Sequence, residues 1–180
     1  MNFFKGFTLI EILVTIALIA ILATIGIPFF NGFQTSSKIN SSTINHQNMV
    51  KYVSSKFSWC SLGGDITIRG EPQINIPGGS WSEYYVNCFG QSAASWAAWI
   101  GYHLRDTYGA KNVYIADEPM YKQAGSSPLD CKADDYVRLK LGESLFGTGG
   151  ANILCLVTNV GDPDGRNYFL KDYIILPDYL

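Results

Sequence analysis

The stretch that decides the fold runs from Phe7 to Phe33 and reads FTLIEILVTIALIAILATIGIPFFNGF. Its single ionisable side chain is Glu11. A helix of about 27 residues is roughly 40 Å long, which is enough to cross a bilayer with some tilt. Buried core helices seldom stay apolar on every face over such a length. The run therefore predicts a transmembrane helix over about 7–33.

The segment before this run is short and contains one basic residue, Lys5. The apolar run is longer than the h-region of a secretory signal, and no small-x-small cleavage pattern follows it. We therefore expect the run to stay in the mature chain. A basic residue on the short N-terminal side favours a cytoplasmic N-terminus and an exported C-terminal part.

Glu11 is the residue of this run that points to function. A carboxylate in hydrocarbon is costly unless it is paired, so an intramembrane acid is a functional candidate. The run contains no Lys, Arg or His that could pair with it. Either Glu11 reaches the nearby interface, or its partner belongs to another chain, and we favour the second interpretation.

The residues around Glu11 resemble the class III signal of type IV pilins and pseudopilins, because residues 5–11 read KGFTLIE. The resemblance covers about the first 57 residues. It implies a leader over 1–6, cleavage between Gly6 and Phe7 by a prepilin peptidase, and N-methylation of Phe7. It also implies that Glu11 meets the N-terminal amine of a neighbouring subunit during assembly.

Gly26 and Pro28 are two helix-weakening residues of the run that lie only two positions apart. Proline removes an amide donor and crowds the preceding turn, and glycine has low helix propensity. Two interpretations stay open. The pair is an ordinary kink of a membrane helix, or, as in the family, a place where the helix bends or locally melts on assembly.

Residues 34–57 are polar and contain neither Gly nor Pro. Their apolar side chains and one histidine recur at helical spacing, which predicts an amphipathic continuation of the first helix. The stripe that should lie under a sheet consists of His46, Met49, Val50, Val53 and Phe57. We therefore predict one long helix over 7–57.

The remaining residues, 58–180, are predicted to form one exported globular domain. Apolar and alternating segments predict strands at Ile66–Ile68, Glu83–Phe89, Asn112–Ala116, Tyr136–Leu141, Asn152–Thr158 and Asn167–Leu176. The glycine-rich stretch Gly142–Gly150 is predicted to be a loop. One more helix is predicted between Ser92, a candidate N-cap, and Gly109. The predicted fold is α+β, with a long N-terminal helix packed on an antiparallel sheet, as in type IV pilins.

The four cysteines all lie in the part predicted to be exported, and none forms a C-x-x-C motif. An even number of cysteines in an oxidising compartment favours disulfides. Three pairings are possible. We favour Cys60–Cys88 and Cys131–Cys155, because each closes a local loop; the second also resembles the disulfide that commonly clamps the C-terminal region in the family.

Asp162, Asp164 and Asn167 are spaced like the oxygen ligands of a calcium loop. The full twelve-residue pattern is missing, Arg166 adds a positive charge, and D-P-D-G is equally a turn sequence. We therefore expect no bound metal or other cofactor, with calcium as the alternative.

Composition and motifs argue against enzymatic activity and nucleic-acid binding. The formal net charge is −2, so no bulk positive charge attracts nucleic acid. The two histidines, His46 and His103, fall on predicted helices and are interpreted as ordinary helix-face residues. No phosphate-binding glycine loop, H-E-x-x-H or G-x-S-x-G motif is present.

The resemblance implies a structural subunit that polymerises into a helical, extracellular type IV pilus for adhesion, motility or DNA uptake. Its implied partners are other copies of the chain, a prepilin peptidase, an inner-membrane platform and a cytoplasmic assembly ATPase. The precursor would span the inner membrane once. The alternatives are a minor pilin or type II secretion pseudopilin, and an anchored ligand-binding protein that does not polymerise.

Overall fold

The structure, a computed structural model, describes residues 7–70, 82–86, 88, 90–105, 111–121, 129–131 and 134–177. The chain divides into two units, Met1–Ser37 and Lys38–Leu180, and the first helix contributes residues to both. The elements are, in order, α1 (Leu9–Ser61), β1 (Ile66–Gly70), β2 (Ser82–Val86), α2 (Ala93–His103), β3 (Leu129–Asp130), a 3₁₀ helix (Asp134–Arg138), β4 (Ser144–Gly150), β5 (Ile153–Asn159) and β6 (Phe169–Ile175).

The long N-terminal helix is confirmed, and α1 ends at Ser61, a few residues beyond the predicted end at Phe57. In its second half α1 buries one stripe of side chains, at the three- and four-residue spacing of a helix face. These are Ser42, His46, Met49, Val53, Phe57 and Cys60. The stripe, and not the serine- and asparagine-rich remainder, anchors this half of the helix in the second unit.

The antiparallel sheet is also confirmed, as a meander of β4, β5 and β6. β4 pairs with β5 from Ser144↔Thr158 onward, and β5 pairs with β6 from Ile153↔Ile175 onward. The two-residue β3 adds a parallel edge beside β4, which gives the order β3-β4-β5-β6. β1 and β2 form a separate antiparallel pair.

α2 begins where the sequence predicts. The Ser92 side chain accepts a hydrogen bond from the Ser95 N–H at 3.1 Å, which satisfies one of the free donors at the helix start. The predicted end at Gly109 and the end of the second predicted strand at Phe89 lie outside the described residues.

The predicted strand at Asn112–Ala116 is wrong. The Asn112 side-chain oxygen accepts hydrogen bonds from the N–H groups of Tyr114, at 2.8 Å, and Ile115, at 3.3 Å. Asparagine forms such turns by bonding its own backbone two or three residues later. The chain therefore folds back here instead of extending, and Asp117 adopts a left-handed φ of 65°.

The predictions for Tyr136–Leu141 and Gly142–Gly150 are also wrong, the first as a strand and the second as a loop. The first segment overlaps the 3₁₀ helix, because Tyr136 and Leu139 pack into the same cluster three residues apart, a spacing that suits 3₁₀ geometry. The second contains β4. Its glycine at 149 lies against Ile153 and Tyr173, where a Cβ would meet their side chains at 3.0 and 3.1 Å.

Two hydrophobic clusters lie on the two faces of the meander. The inner cluster joins the second half of α1 and α2 to the sheet, and Phe57 meets Trp96 edge to face with ring centroids 5.2 Å apart. The outer cluster contains Cys131, Leu139, Leu145, Cys155 and Val157. Neighbouring residues of β4 point to opposite clusters, Leu145 to the outer one and Phe146 to the inner one, as strand geometry requires.

Candidate functional site

The start of α1 has the geometry of a capping box. The Thr8 hydroxyl donates to Glu11 Oε2 at 2.8 Å, and the Thr8 N–H donates to the same oxygen at 3.0 Å. In return the Glu11 N–H donates to the Thr8 hydroxyl at 3.4 Å. This reciprocal arrangement satisfies free donors of the first helical turn. The carboxylate is therefore held at the helix N-terminus, where the helix dipole also favours a negative charge.

No cationic side chain pairs with Glu11 among the described residues. Phe7, the residue predicted to become the N-terminus, is 79% exposed, and Gly6 lies outside the described residues. The hydrogen bonds from Thr8 leave the negative charge of Glu11 without a positive side-chain partner in the part of the chain that the structure describes.

The helix that follows has the length and composition needed to cross a membrane. Its large apolar side chains between Phe7 and Phe33 are 51% to 81% exposed. In its apolar part, the threonine hydroxyls are satisfied inside the helix, Thr15 by the carbonyl of Ile12 at 2.8 Å and Thr24 by that of Ile21 at 2.7 Å. Internal satisfaction of polar groups is what a hydrocarbon environment demands.

Gly26 and Pro28, the predicted kink residues, lie inside α1, which stays helical through both. A Cβ at Gly26 would meet no atom within 4 Å, so packing inside the chain does not require glycine there. Whether the pair bends in a membrane or in an assembly stays a prediction.

The four cysteines lie in the two pairs that the sequence favours. Cys60, near the end of α1, is bonded to Cys88, with Cα atoms 5.6 Å apart. Cys131 is bonded to Cys155 on β5, with Cα atoms 6.4 Å apart. The first bond joins the helix end to the segment before α2, and the second joins the segment after β3 to the outer face of the sheet.

In the candidate calcium loop, the carboxylates are bonded by Arg166 of the same loop. Arg166 Nε donates to Asp162 Oδ2 at 2.9 Å, and Arg166 Nη2 also contacts Asp164. The backbone N–H of Arg166 is the main reason that the pKa of Asp162 lies below its usual range. The third candidate ligand, Asn167, is engaged elsewhere. Its side-chain oxygen accepts a hydrogen bond from Asn159 Nδ2 at 2.9 Å. Among the described residues no group of three or more His, Cys, Asp or Glu could hold a metal.

The sequence indicates only an ordinary helix-face role for His46, which the structure places in a buried polar network. Nδ1 of His46 lies 2.7 Å from the Thr158 hydroxyl of β5, and Nε2 lies 2.8 Å from Asp172 Oδ2 of β6. The Thr158 hydroxyl in turn lies 2.8 Å from that of Ser144 on β4. The sequence feature that could have indicated this network is a titratable residue in an otherwise apolar helical stripe.

His103, the other histidine, lies on α2 and is nearly buried. Its Nε2 is 2.7 Å from the hydroxyl of Tyr52 on α1, and the two rings are stacked. This contact joins α1 and α2 within the second unit.

Comparison with known proteins identifies the first part of the chain. A family model described as the prokaryotic N-terminal methylation motif matches residues 1–27. Neither a curated protein nor a solved structure matches the chain. The match covers the predicted cleavage pair, Glu11 and most of the apolar run. The N-terminal segment therefore carries the prokaryotic N-terminal methylation motif, which is consistent with the class III signal of a type IV pilin-like or pseudopilin-like precursor.

Proposed function

We propose that this chain is a structural subunit of a type IV pilus, whose copies polymerise through the first half of α1 into an extracellular filament. The observation that carries the proposal is the combination at the start of α1. Apolar side chains are exposed on every side of the helix, and a single carboxylate lacks a cationic partner among the described residues. Other copies of the same helix can cover these apolar side chains and can supply a positive group to the carboxylate.

The N-terminal amine that cleavage creates is the partner that we assign to Glu11. Cleavage between Gly6 and Phe7 removes Lys5 and leaves a free ammonium on Phe7, and methylation keeps its charge. An ammonium and a carboxylate attract strongly away from water, and pairing offsets the cost of burying either of them. The ammonium of one copy would thus pair with Glu11 of its neighbour and set the axial register between the two helices.

The capping box supports this role, because it fixes where the carboxylate is before assembly. Two donors from Thr8 bind the same oxygen, Oε2. The second oxygen of the Glu11 carboxylate makes none of these bonds and is the one that we assign to the incoming amine. The residue can therefore keep its cap while it gains an ionic partner.

Processing and export would follow from the same segment. We expect the precursor to span the inner membrane once with a cytoplasmic N-terminus, since Lys5 lies on that side. A prepilin peptidase, an inner-membrane platform and a cytoplasmic assembly ATPase are the proposed partners. In this scheme the chain is a substrate of processing enzymes and has no catalytic activity of its own.

The test compares Glu11→Gln with Glu11→Ala in the native cell. Glutamine keeps an acceptor for Thr8, as capping boxes allow, but loses the charge, whereas alanine loses both. We expect both variants to be cleaved at Phe7 and both to give at least about tenfold fewer filaments. Glu118→Gln, which removes an exposed carboxylate bound to Lys140, is the control and should assemble normally.

Filaments of Glu11→Gln at the wild-type level would refute the ion pair. The composition of purified filaments tests the wider proposal. A dominant band that starts at methylated Phe7 supports a major pilin, and a trace band indicates a minor pilin or a secretion pseudopilin. A chain that is absent from every filament would refute polymerisation and favour an anchored binding protein.

A further inference from the structure

The His46 network joins one side chain of α1 to all three strands of the meander. His46, Thr158 and Ser144 are at most 1% exposed. Ser144 and Thr158 are directly opposite each other in the β4–β5 register, which explains why their hydroxyls meet. Asp172 on β6 completes the network from the edge, and its side chain is 56% exposed.

The directions of these hydrogen bonds depend on the protonation of His46. The Asp172 carboxylate can only accept, so Nε2 of His46 carries a proton in either state. When His46 is neutral, Nδ1 accepts from the Thr158 hydroxyl, which accepts from the Ser144 hydroxyl. Each donor in this series of hydrogen bonds then has an acceptor.

Protonation of Nδ1 reverses the direction of these hydrogen bonds. Nδ1 becomes a donor to Thr158, whose hydroxyl must then turn toward Ser144. The Ser144 hydroxyl loses Thr158 as its acceptor in a position that has no exposed surface. A buried donor without an acceptor is destabilising, so the packed network accommodates neutral His46 better than the imidazolium.

The net effect of the surroundings on the pKa of His46 has the same direction, because burial outweighs a nearby charge. Burial lowers the pKa of His46, and the hydrogen bond and negative charge of Asp172 oppose this effect without cancelling it. Thr158 of β5 bonds the ring directly and Ser144 of β4 reaches it through Thr158, and both are uncharged. Among the described residues, Asp172 of β6 is the charged group that shifts the pKa of His46. More than half of the Asp172 side chain is in water, which screens its charge.

We propose that the His46 network is an acid-sensitive clamp, which holds the second half of α1 on β4, β5 and β6 while His46 is neutral and loosens when His46 is protonated. The clamp lies within the second unit and does not depend on the proposed polymerisation. It would make the attachment of the helix to its own sheet a property that the surrounding pH controls.

The sign of the effect follows from proton linkage. The pKa of His46 is lowered on folding from an ordinary value of 6.5. The unfolded chain therefore binds the proton first as the pH falls, and the stabilisation is complete above 6.5 and is lost below it. Between the pKa of His46 in the unfolded chain and its pKa in the folded chain, the unfolding equilibrium constant rises by up to about tenfold for each unit by which the pH falls.

The first experiment measures urea unfolding of the full chain in detergent micelles between about pH 7.5 and pH 4.5, followed by tryptophan fluorescence. His46→Gln removes the titrating group, and His103→Gln is the matched control because the chain has two histidines. We expect wild type and His103→Gln to lose stability below pH 6.5 more steeply than His46→Gln. Equal pH slopes in all three would overturn the proposal.

A second measurement decides the matter if His46→Gln does not fold. An NMR titration of His103→Gln observes His46 as the one remaining imidazole, and amide exchange reports on α1 around His46. We expect a midpoint below 6.5 and a loss of protection at the same pH. A midpoint at or above that value, or protection that does not follow the titration, would overturn the clamp.

Discussion

Nε2 of His46 on α1 lies 2.8 Å from Oδ2 of Asp172 on β6, although 126 residues separate them in the chain. This contact brings the helix and the last strand of the meander together through one hydrogen bond. It also places the Asp172 carboxylate, the charge that acts on His46 among the described residues, at the exposed edge of the network, where substitution does not open a cavity in the core.

Asp172→Asn should therefore shift the titration of His46 without unfolding the domain. Asp172 raises the pKa of His46 against the larger effect of burial, so its removal should move the titration midpoint further below 6.5. At neutral pH we expect the free energy of unfolding to fall by about 1 kcal/mol. This is less than a buried hydrogen bond to a charged group contributes, because solvent screens the exposed carboxylate. Asp117→Asn, at an exposed ion pair with Lys111, is the control.

Thr8→Val should weaken the start of α1 and leave the rest of the helix intact. Valine lacks the hydroxyl that accepts from the Glu11 N–H and donates to its carboxylate, and loss of such a cap costs about 1 kcal/mol. Amide exchange of the first turn in micelles should become about fivefold faster. Thr15→Val removes a hydroxyl bonded to the Ile12 carbonyl and should leave the first turn unchanged.

Leu154→Ala should be strongly destabilising, because Leu154 is fully buried in the inner cluster. Truncation of a buried leucine costs about 2–5 kcal/mol through lost contacts and a residual cavity. Leu62→Ala makes the same chemical change at a residue that is 81% exposed, and should stay within about 0.5 kcal/mol of wild type. Urea unfolding of both variants at pH 7 makes the comparison.

Calcium should bind the wild-type chain weakly or not at all, because Arg166 already bonds the carboxylates of Asp162 and Asp164. Millimolar calcium should move the melting temperature by less than about 1 °C. Arg166→Gln leaves the two carboxylates without their cation and should increase calcium binding in a calorimetric titration. Tight binding to the wild-type chain would contradict this account of the loop.

The sequence predicted best the elements whose residues carry a strong local pattern. α1 has an uninterrupted apolar run followed by a buried stripe, α2 has a serine cap, and β5 and β6 have β-branched and aromatic residues. In each of these, local propensity and tertiary packing favour the same structure, so the pattern alone was sufficient.

The errors come from segments where tertiary contacts outweigh local pattern. β4 contains three glycines within SLFGTGG, which resembles a loop, yet it lies between β3 and β5 and is held by pairing on both edges. Tyr136–Leu141 alternates like a strand, but Tyr136 and Leu139 have to reach one cluster beside the Cys131–Cys155 bond. Neither requirement is visible in the segment itself.

The polar network escaped prediction for a related reason. The helical spacing identified the face on which His46 lies, and the stripe was interpreted as core. Its partners Thr158 and Asp172 lie more than a hundred residues away, so their proximity depends on the register of β5 and β6. By contrast, the capping box at Thr8 and Glu11 is a local pattern that could have been identified from its T-x-x-E spacing.

The bond between Cys60 and Cys88 determines how mechanical tension passes through the chain. Cys60 lies one residue before the end of α1, and its bond closes a loop that contains β1 and β2. A pull along α1 therefore bypasses this loop and enters the chain at Cys88, a few residues before the Ser92 cap of α2. β1 and β2 lie outside this covalent path, which leads directly into α2 and the inner cluster around Trp96.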